Sequence, residues 1–298
     1  MEHDFIKSAN IQRSPDDYYG LDAISVSGMK KIKVSPMHYK EGEETKDTEA
    51  MLFGSAYHCF VLEPDKFEKE YYVFDDSVVC GALIAKGAKS PRATNDYKTW
   101  KEGEMNFADG KILIEKSDYD RLKAMKDRLF SHSYAKMLLS NGVPEVGYSG
   151  TIETIAGTIN VKLKPDYIKS IKHIIVDLKT TKDASLDGFT REAAERDYHI
   201  QAAFYSDMVE MMAGDNRQQT FIFIAQEKVS PYAFNLFECV PQFIGQGRYE
   251  YEMLLQLYKY CIDNNKWPGY QCFCPNRYGL MELSLPKYAI RSLDYYTY

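Results

Sequence analysis

The nine residues His173–Thr181, HIIVDLKTT, constrain this 298-residue chain more than any other stretch. A short, continuous β-branched run reads as a strand buried on both faces, and such strands belong to sheets covered by helices. Side chains alternate along a strand, so Asp177 and Lys179 share one face while Leu178 points into the opposite layer. The backbone carbonyl of Leu178 is then available to a cation. Charged groups at the end of a buried strand are rarely retained unless they are paired or bound to metal.

The surrounding pattern sets the fold class. Residues 1–20 read as a polar lead-in, and Ile24–Tyr39 as a strand or turn entering a short helix, with Ser25 or Ser27 as its cap and Ser35-Pro36 restarting the chain in a second short helix. Residues 51–67 keep helical spacing until Pro64, and EYYVF then reads as a strand. Residues 75–110 read as an exposed loop and a short helix, and 117–141 as an amphipathic helix pair. EVGYSGTIE, TINVKLKPDYI and HIIVDLKTT predict three strands. One long helix over 187–213, two strands (QTFIFIAQE and YAFNLFEC), a helix over 241–264 and an irregular tail follow. The result is an α/β chain with a mixed, partly antiparallel central sheet flanked by helices. It divides into an N-terminal region (1–50), a helical and loop region carrying His58 (51–140), a core (141–275) and a tail (276–298), all within one domain.

Charge and composition narrow the partners. A net charge of −6 counts against a uniformly basic nucleic-acid binder. A carboxylate-rich metal site tolerates that balance, because bound cations neutralise it, and Lys and Arg still cluster in 30–40, 86–101 and 162–172. The polar N-terminus does not resemble a signal peptide, and no apolar run reaches the ~18 residues of a membrane span. Six cysteines without a secretory signal fit a reducing, cytoplasmic setting.

The chemistry gathers in KLKPDYIKSIKHIIVDLKTT. Asp166 lies eleven residues before Asp177, and the short connection YIKSIKH can fold its strand back so that both carboxylates meet. Two carboxylates and a backbone carbonyl are hard oxygen ligands suited to Mg²⁺ or Mn²⁺. Such an ion lowers the pKa of bound water and polarises a phosphoryl oxygen. Lys179 would hold the attacking water or neutralise charge in the transition state. A third acidic residue, Glu145, lies at the start of the first of these strands, with Glu153 as a competitor.

DLKTT preceded by PDYI and followed by YHIQAAFY resembles the PD-(D/E)xK nuclease superfamily, and more closely its RecE-like branch, the exodeoxyribonuclease VIII family of phages and prophages. The matching residues are Asp166, Asp177 with Lys179, and Gln201 with Tyr205. GSAYH places His58 in the family's Gly-x-Ala-x-His pattern, followed by LEPDKF. ISVSGMKKIKVSPMHYK and PRATNDYKTW are also similar, so the resemblance spans roughly residues 20–275. Where relatives usually carry Arg before Pro-Asp, this chain has Lys164, which keeps the charge but not a bidentate phosphate contact.

The resemblance implies a restriction-endonuclease-like core and a Mg²⁺-dependent exonuclease acting on double-stranded DNA ends. It implies 5′-to-3′ digestion that leaves 3′ single strands for an annealing protein of the RecT type, in a homo-oligomeric ring of three or four subunits. His58 becomes a metal ligand or its neighbour, beside Asp166, Asp177 and the Leu178 carbonyl. Gln201 and Tyr205 would contact the scissile phosphate or support Lys179, with Tyr198 near the same helical face. Arg92, Lys98 and the helix start at Ser25 and Ser27 would hold a terminal phosphate, with Lys164 on the DNA backbone. Some relatives carry an iron–sulfur cluster on one early and three late cysteines. Cys80, Cys261, Cys272 and Cys274 lack that spacing, so free thiols are expected. The same fold also admits a structure-specific or single-strand endonuclease, or an inactive DNA-binding module.

Overall fold

The computed structural model describes residues 5–14, 17–43, 48–169, 173–214, 218–273 and 280–286. The chain begins with β1 (Ile6–Arg13). Helix α1 (Val26–Val34) is capped by Ser25, and α2 (Pro36–Glu41) starts on Pro36. Helices α3 (Glu49–Leu62) and α4 (Pro64–Glu70) meet at Glu63, because Pro64 cannot donate within α3 but suits a first helical turn. Next come β2 (Tyr71–Phe74), α5 (Ser77–Ala85), α6 (Asn95–Phe107), β3 (Ile112–Glu115), α7 (Lys116–Phe130) and α8 (Ser133–Leu138). Strands β4 (Val143–Pro144), β5 (Tyr148–Thr154), β6 (Gly157–Leu163), β7 (Tyr167–Lys169) and β8 (Ile174–Thr181) lead into α9 (Leu186–Glu195) and α10 (Tyr198–Ala213). Strands β9 (Thr220–Glu227) and β10 (Phe234–Glu238) and helix α11 (Pro241–Asn264) close the core.

The central sheet has the order β10-β9-β8-β7-β4. Only β8 and β9 are parallel; the other pairings are antiparallel. Beside it lies an antiparallel sheet β1-β5-β6, to which Ile24 adds one parallel bridge at Val161. That bridge seats the start of α1 next to the central strands. Alternation along β8 and β9 feeds two cores. Ile175, Phe221, Phe223 and Ala225 pack with α10 and α11, whereas Val176, Leu178, Ile222 and Ile224 pack with α3 and α7. Helices α10 and α11 cross closely at Gly247, where any Cβ would collide with the His199 carbonyl.

Four sequence expectations change. The polar lead-in contains β1, which pairs with β5 from Ile6 to Arg13. The stretch 75–110 is largely helical, through α5 and the thirteen-residue α6. TINVKLKPDYI is two strands in two sheets, broken at 164–166. The helix expected over 187–213 breaks at Asp197, whose left-handed backbone (φ 53°) separates α9 from α10. Among the described residues no helix is long and apolar enough to cross a membrane.

Candidate active site

Asp166 sits just before β7, and its Oδ2 accepts the Leu178 N–H at 2.8 Å. A strand residue directs its N–H and C=O to the same edge, so the Leu178 carbonyl also faces this side. Asp177 is 1% exposed, on the face toward α10, and its Oδ2 meets the Lys179 ammonium at 2.6 Å. Gln201 of α10 donates to Asp177 Oδ1 and accepts from Lys179 Nζ at 3.3 Å. Lys179 also lies over the Tyr198 ring, 4.8 Å from its centroid. The ammonium is thus positioned by a carboxylate, an amide and an aromatic face.

His58 arrives from α3, its Nδ1 3.3 Å from Asp166 and 3.6 Å from Glu145. Glu145 follows β4 with a left-handed backbone (φ 50°), a conformation that costs a non-glycine residue about 1 kcal/mol or more. Its N–H bonds the Asp166 carbonyl at 2.9 Å, and its carboxylate pairs with Lys164 at 2.7 Å. Glu153 is exposed and accepts from the Thr158 hydroxyl instead.

Burial, reinforced by Asp177, pushes the Asp166 carboxyl up to about 7. Burial disfavours the His58 imidazolium, but Asp166 and Glu145 outweigh it and raise its pKa. Burial likewise opposes the Lys179 charge, and Asp177 with Asp166 overrides it, so the ammonium persists. For Glu145 burial is outweighed by His58 and Lys164, which hold its pKa down.

Nδ1 of His58 and the carboxylates of Glu145 and Asp166 lie within 4.8 Å of one another. Mostly carboxylate, with one imidazole, this set fits a hard divalent cation such as Mg²⁺ or Mn²⁺. Asp166 links this set to β8 through its bond to the Leu178 N–H, one residue from Asp177. His58, Glu145 and Asp166 line a cleft of about 680 Å³ that also holds Ser25, Ser27, Lys31, Lys66, Lys162, Lys164, Tyr18, Tyr19 and Tyr205. Tyr205 is tied to the Lys164 backbone rather than to Lys179, so of the Gln201–Tyr205 pair only Gln201 supports the lysine.

Not every expected residue converges. Arg92 is neutralised by Asp76 at 2.8 Å and Glu115 at 2.7 Å, and it lines a different cleft with Lys101 and Arg121. Lys98 is exposed on α6 and does not line the active cleft. Both follow from their local elements: the turn at Pro91–Ala93 and α6 pack around Asp76, and Tyr97 also bonds it. Ser25 is engaged as the α1 cap. Cys59, Cys80, Cys239 and Cys261 are not in disulfides, and Cys272 and Cys274 lie outside the described side chains.

Sequence reasoning missed Lys30 and Lys33. Lys30 Nζ bonds the Arg196 carbonyl at 2.5 Å and lies over Tyr198; burial, then Lys179, lowers its pKa to about 8. Lys33 pairs with Asp197 at 2.6 Å and Glu250 at 2.7 Å. Together they clamp the break between α9 and α10 that delivers Tyr198 and Gln201. Asp197, His199 and Glu250 also stand close enough to hold an ion, but the Lys33 ammonium already neutralises both carboxylates. The only sequence signal was the lysine spacing on α1, which faces a partner invisible in the linear chain.

A mixed sheet whose central strand carries Asp-x-Lys, met by a second Asp from a Pro-Asp turn, defines the PD-(D/E)xK class of restriction-endonuclease-like folds. The chain belongs to the family described as PDDEXK-like domain of unknown function (DUF3799), which it matches over residues 25–276. It is also similar to a crystal structure from Eubacterium rectale described as a "Putative exonuclease", with a TM-score of 0.58 and 18% identity, over 92% of this chain and 96% of that one. That likeness extends the shared fold over nearly the whole chain. Comparison with curated proteins finds no match.

Proposed function

We propose that the protein is a divalent-metal-dependent deoxyribonuclease that digests linear duplex DNA from its ends. The carrying observation is that His58, Glu145 and Asp166 meet in one cleft, while Asp166 bonds the Leu178 amide of the strand on which Asp177 and Lys179 pair. His58, Glu145, Asp166 and Asp177 would hold Mg²⁺ or Mn²⁺, with the Leu178 carbonyl beside them. When bound, such an ion activates water, polarises the phosphoryl group and stabilises the leaving oxygen. Lys179, fixed by Asp177, Gln201 and Tyr198, orients the nucleophilic water and offsets charge on the phosphorus oxygens. Lys31 and Lys66 line the walls with cations for the DNA backbone.

Resemblance to the RecE-like branch supports the finer reading: 5′-to-3′ digestion inside the cell, within a ring of three or four copies, supplying 3′ single strands to a RecT-type annealing partner. The test is digestion of end-labelled linear duplex with Mg²⁺, Mn²⁺ or EDTA, beside closed circular and single-stranded DNA. Metal-dependent release of nucleotides from the 5′ end of the linear duplex is expected. Cleavage of the closed circle would identify an endonuclease, and no cleavage of any substrate would leave only a binding module.

A further inference from the structure

We propose that Tyr19, seated on Tyr18, is a nucleobase-stacking platform at the mouth of the active cleft, taking the unstacked terminal base of a DNA strand. This rests on the deoxyribonuclease reading and specifies the form in which that site receives its substrate.

Tyr19 is 79% exposed, although its loop is tightly held. The ammonium of Lys162 on β6 reaches the carbonyls of Tyr18 at 3.4 Å, Tyr19 at 3.0 Å and Leu21 at 2.9 Å. Asp17 closes the turn by accepting the Gly20 N–H at 3.0 Å. The Tyr18 ring packs edge-on against Tyr19 with centroids 5.3 Å apart, and Lys162 lies 5.4 Å from the Tyr18 centroid. From below, Tyr18 meets Gly147, where a Cβ would approach its ring to 2.8 Å. An exposed aromatic ring is thus fixed in direction by groups that would otherwise be free to bind phosphate.

Its location gives the ring a purpose. Tyr18 and Tyr19 line the same cleft as His58, Glu145, Asp166 and Lys164. Tyr205 lines it too. A base on Tyr19 would therefore leave its phosphate directed toward the carboxylates. Every base offers a π-face, so the contact ignores sequence. It does require that base to leave its own stack, which happens most readily at a duplex end or in a single strand. Lys162 spends its donors on the loop, consistent with a structural anchor and not a phosphate contact.

The experiment compares wild type with Tyr19→Ala, Tyr19→Phe and Tyr19→Trp. Steady-state cleavage is measured on a blunt duplex and on one with a mismatched terminal pair, and a duplex carrying terminal 2-aminopurine reports base stacking by fluorescence in Ca²⁺. Thermal melts verify folding. The expectation is a KM increase of about 5- to 150-fold for Tyr19→Ala on the blunt duplex. Aminopurine quenching should be lost in that variant and kept in the Phe and Trp variants, and the mismatched end should recover part of the loss. Unchanged KM and quenching in Tyr19→Ala, or a Phe variant as impaired as Ala, overturns the platform while leaving the nuclease intact. A wild type that cleaves none of these DNAs overturns the nuclease reading itself, and with it this one.

Discussion

The Asp166 carboxylate and the Leu178 amide, twelve positions apart, are joined by a 2.8 Å hydrogen bond at the point where β7 stops pairing with β8. The β7–β8 ladder ends at Tyr167 opposite Val176, and Asp166 occupies the place the next backbone partner would take. The strand that carries Asp177 and Lys179 therefore also aims Asp166. One carboxylate completes the sheet and joins the candidate metal-binding group at once.

That dual role has a pH signature. Burial and then Asp177 raise Asp166 to about 7, above its unfolded value near 3.8. Between those values the folded state holds the extra proton, so this group's contribution to metal-free stability falls as pH rises toward 7. A divalent cation needs the carboxylate, so its apparent affinity should fall about tenfold per unit below pH 7. Thermal melts with EDTA or Mg²⁺ from pH 5.5 to 8.5 should show a metal-induced stabilisation that grows to about pH 7 and then levels. Asp166→Asn should lose this stabilisation while its metal-free form melts no lower than wild type at pH 8.

Lys179→Ala should lower kcat by about 10²- to 10³-fold while Mg²⁺ affinity changes less than tenfold. The ammonium is held by Asp177, Gln201 and Tyr198 and sits behind the ligand set rather than in it. Metal titration alongside single-turnover cleavage separates the two effects; a collapse of metal affinity would instead make Lys179 a keeper of the ligand geometry. Asp177→Asn should abolish turnover with DNA binding largely retained, read by anisotropy on the duplex.

The candidate Asp-x-Lys site was legible in the sequence because it is local. HIIVDLKTT carries its own burial pattern, and Pro165 marks where the chain turns to present Asp166. His58 and Gln201 were legible only through family spacing, since α3 and α10 reach the site by tertiary packing. What escaped was non-local. SANIQR in β1 is polar because one face of that edge strand meets solvent, and its pairing with β5 spans most of the N-terminal half. The break at Asp197 has no Pro or Gly to announce it; Lys30 and Lys33 from α1 hold it. Arg92 looked like a phosphate ligand because Asp76, sixteen residues earlier, is invisible as its partner until the chain folds.

Stability and chemistry should separate at α10 and α11. Asp207 is buried and receives Arg248 Nε at 2.7 Å, a second Arg248 nitrogen and the Tyr251 hydroxyl at 2.5 Å. Arg248→Met would leave a buried carboxylate with one donor, costing about 3–5 kcal/mol. Denaturant unfolding should record that loss, with kcat of the folded fraction within about twofold of wild type.

Gln201 provides the sharpest test of how the active lysine is positioned, because one amide serves both members of the Asp177–Lys179 pair. Its NH₂ group faces Asp177 and its oxygen faces Lys179, so the amide donates to the acid while accepting from the base, which an ionised carboxylate cannot do. Gln201→Glu keeps the acceptor for Lys179 but sets a carboxylate against Asp177, while Gln201→Leu removes both bonds at similar size. Losses of this orienting kind run about 10- to 100-fold. Gln201→Leu should fall in that range, and Gln201→Glu should fall further at pH 8 than at pH 6, where the introduced carboxyl, once protonated, again donates to Asp177. Single-turnover rates at the two pH values, each divided by the wild-type rate at that pH, measure the difference. Equal ratios would show that the amide fills space without setting the lysine.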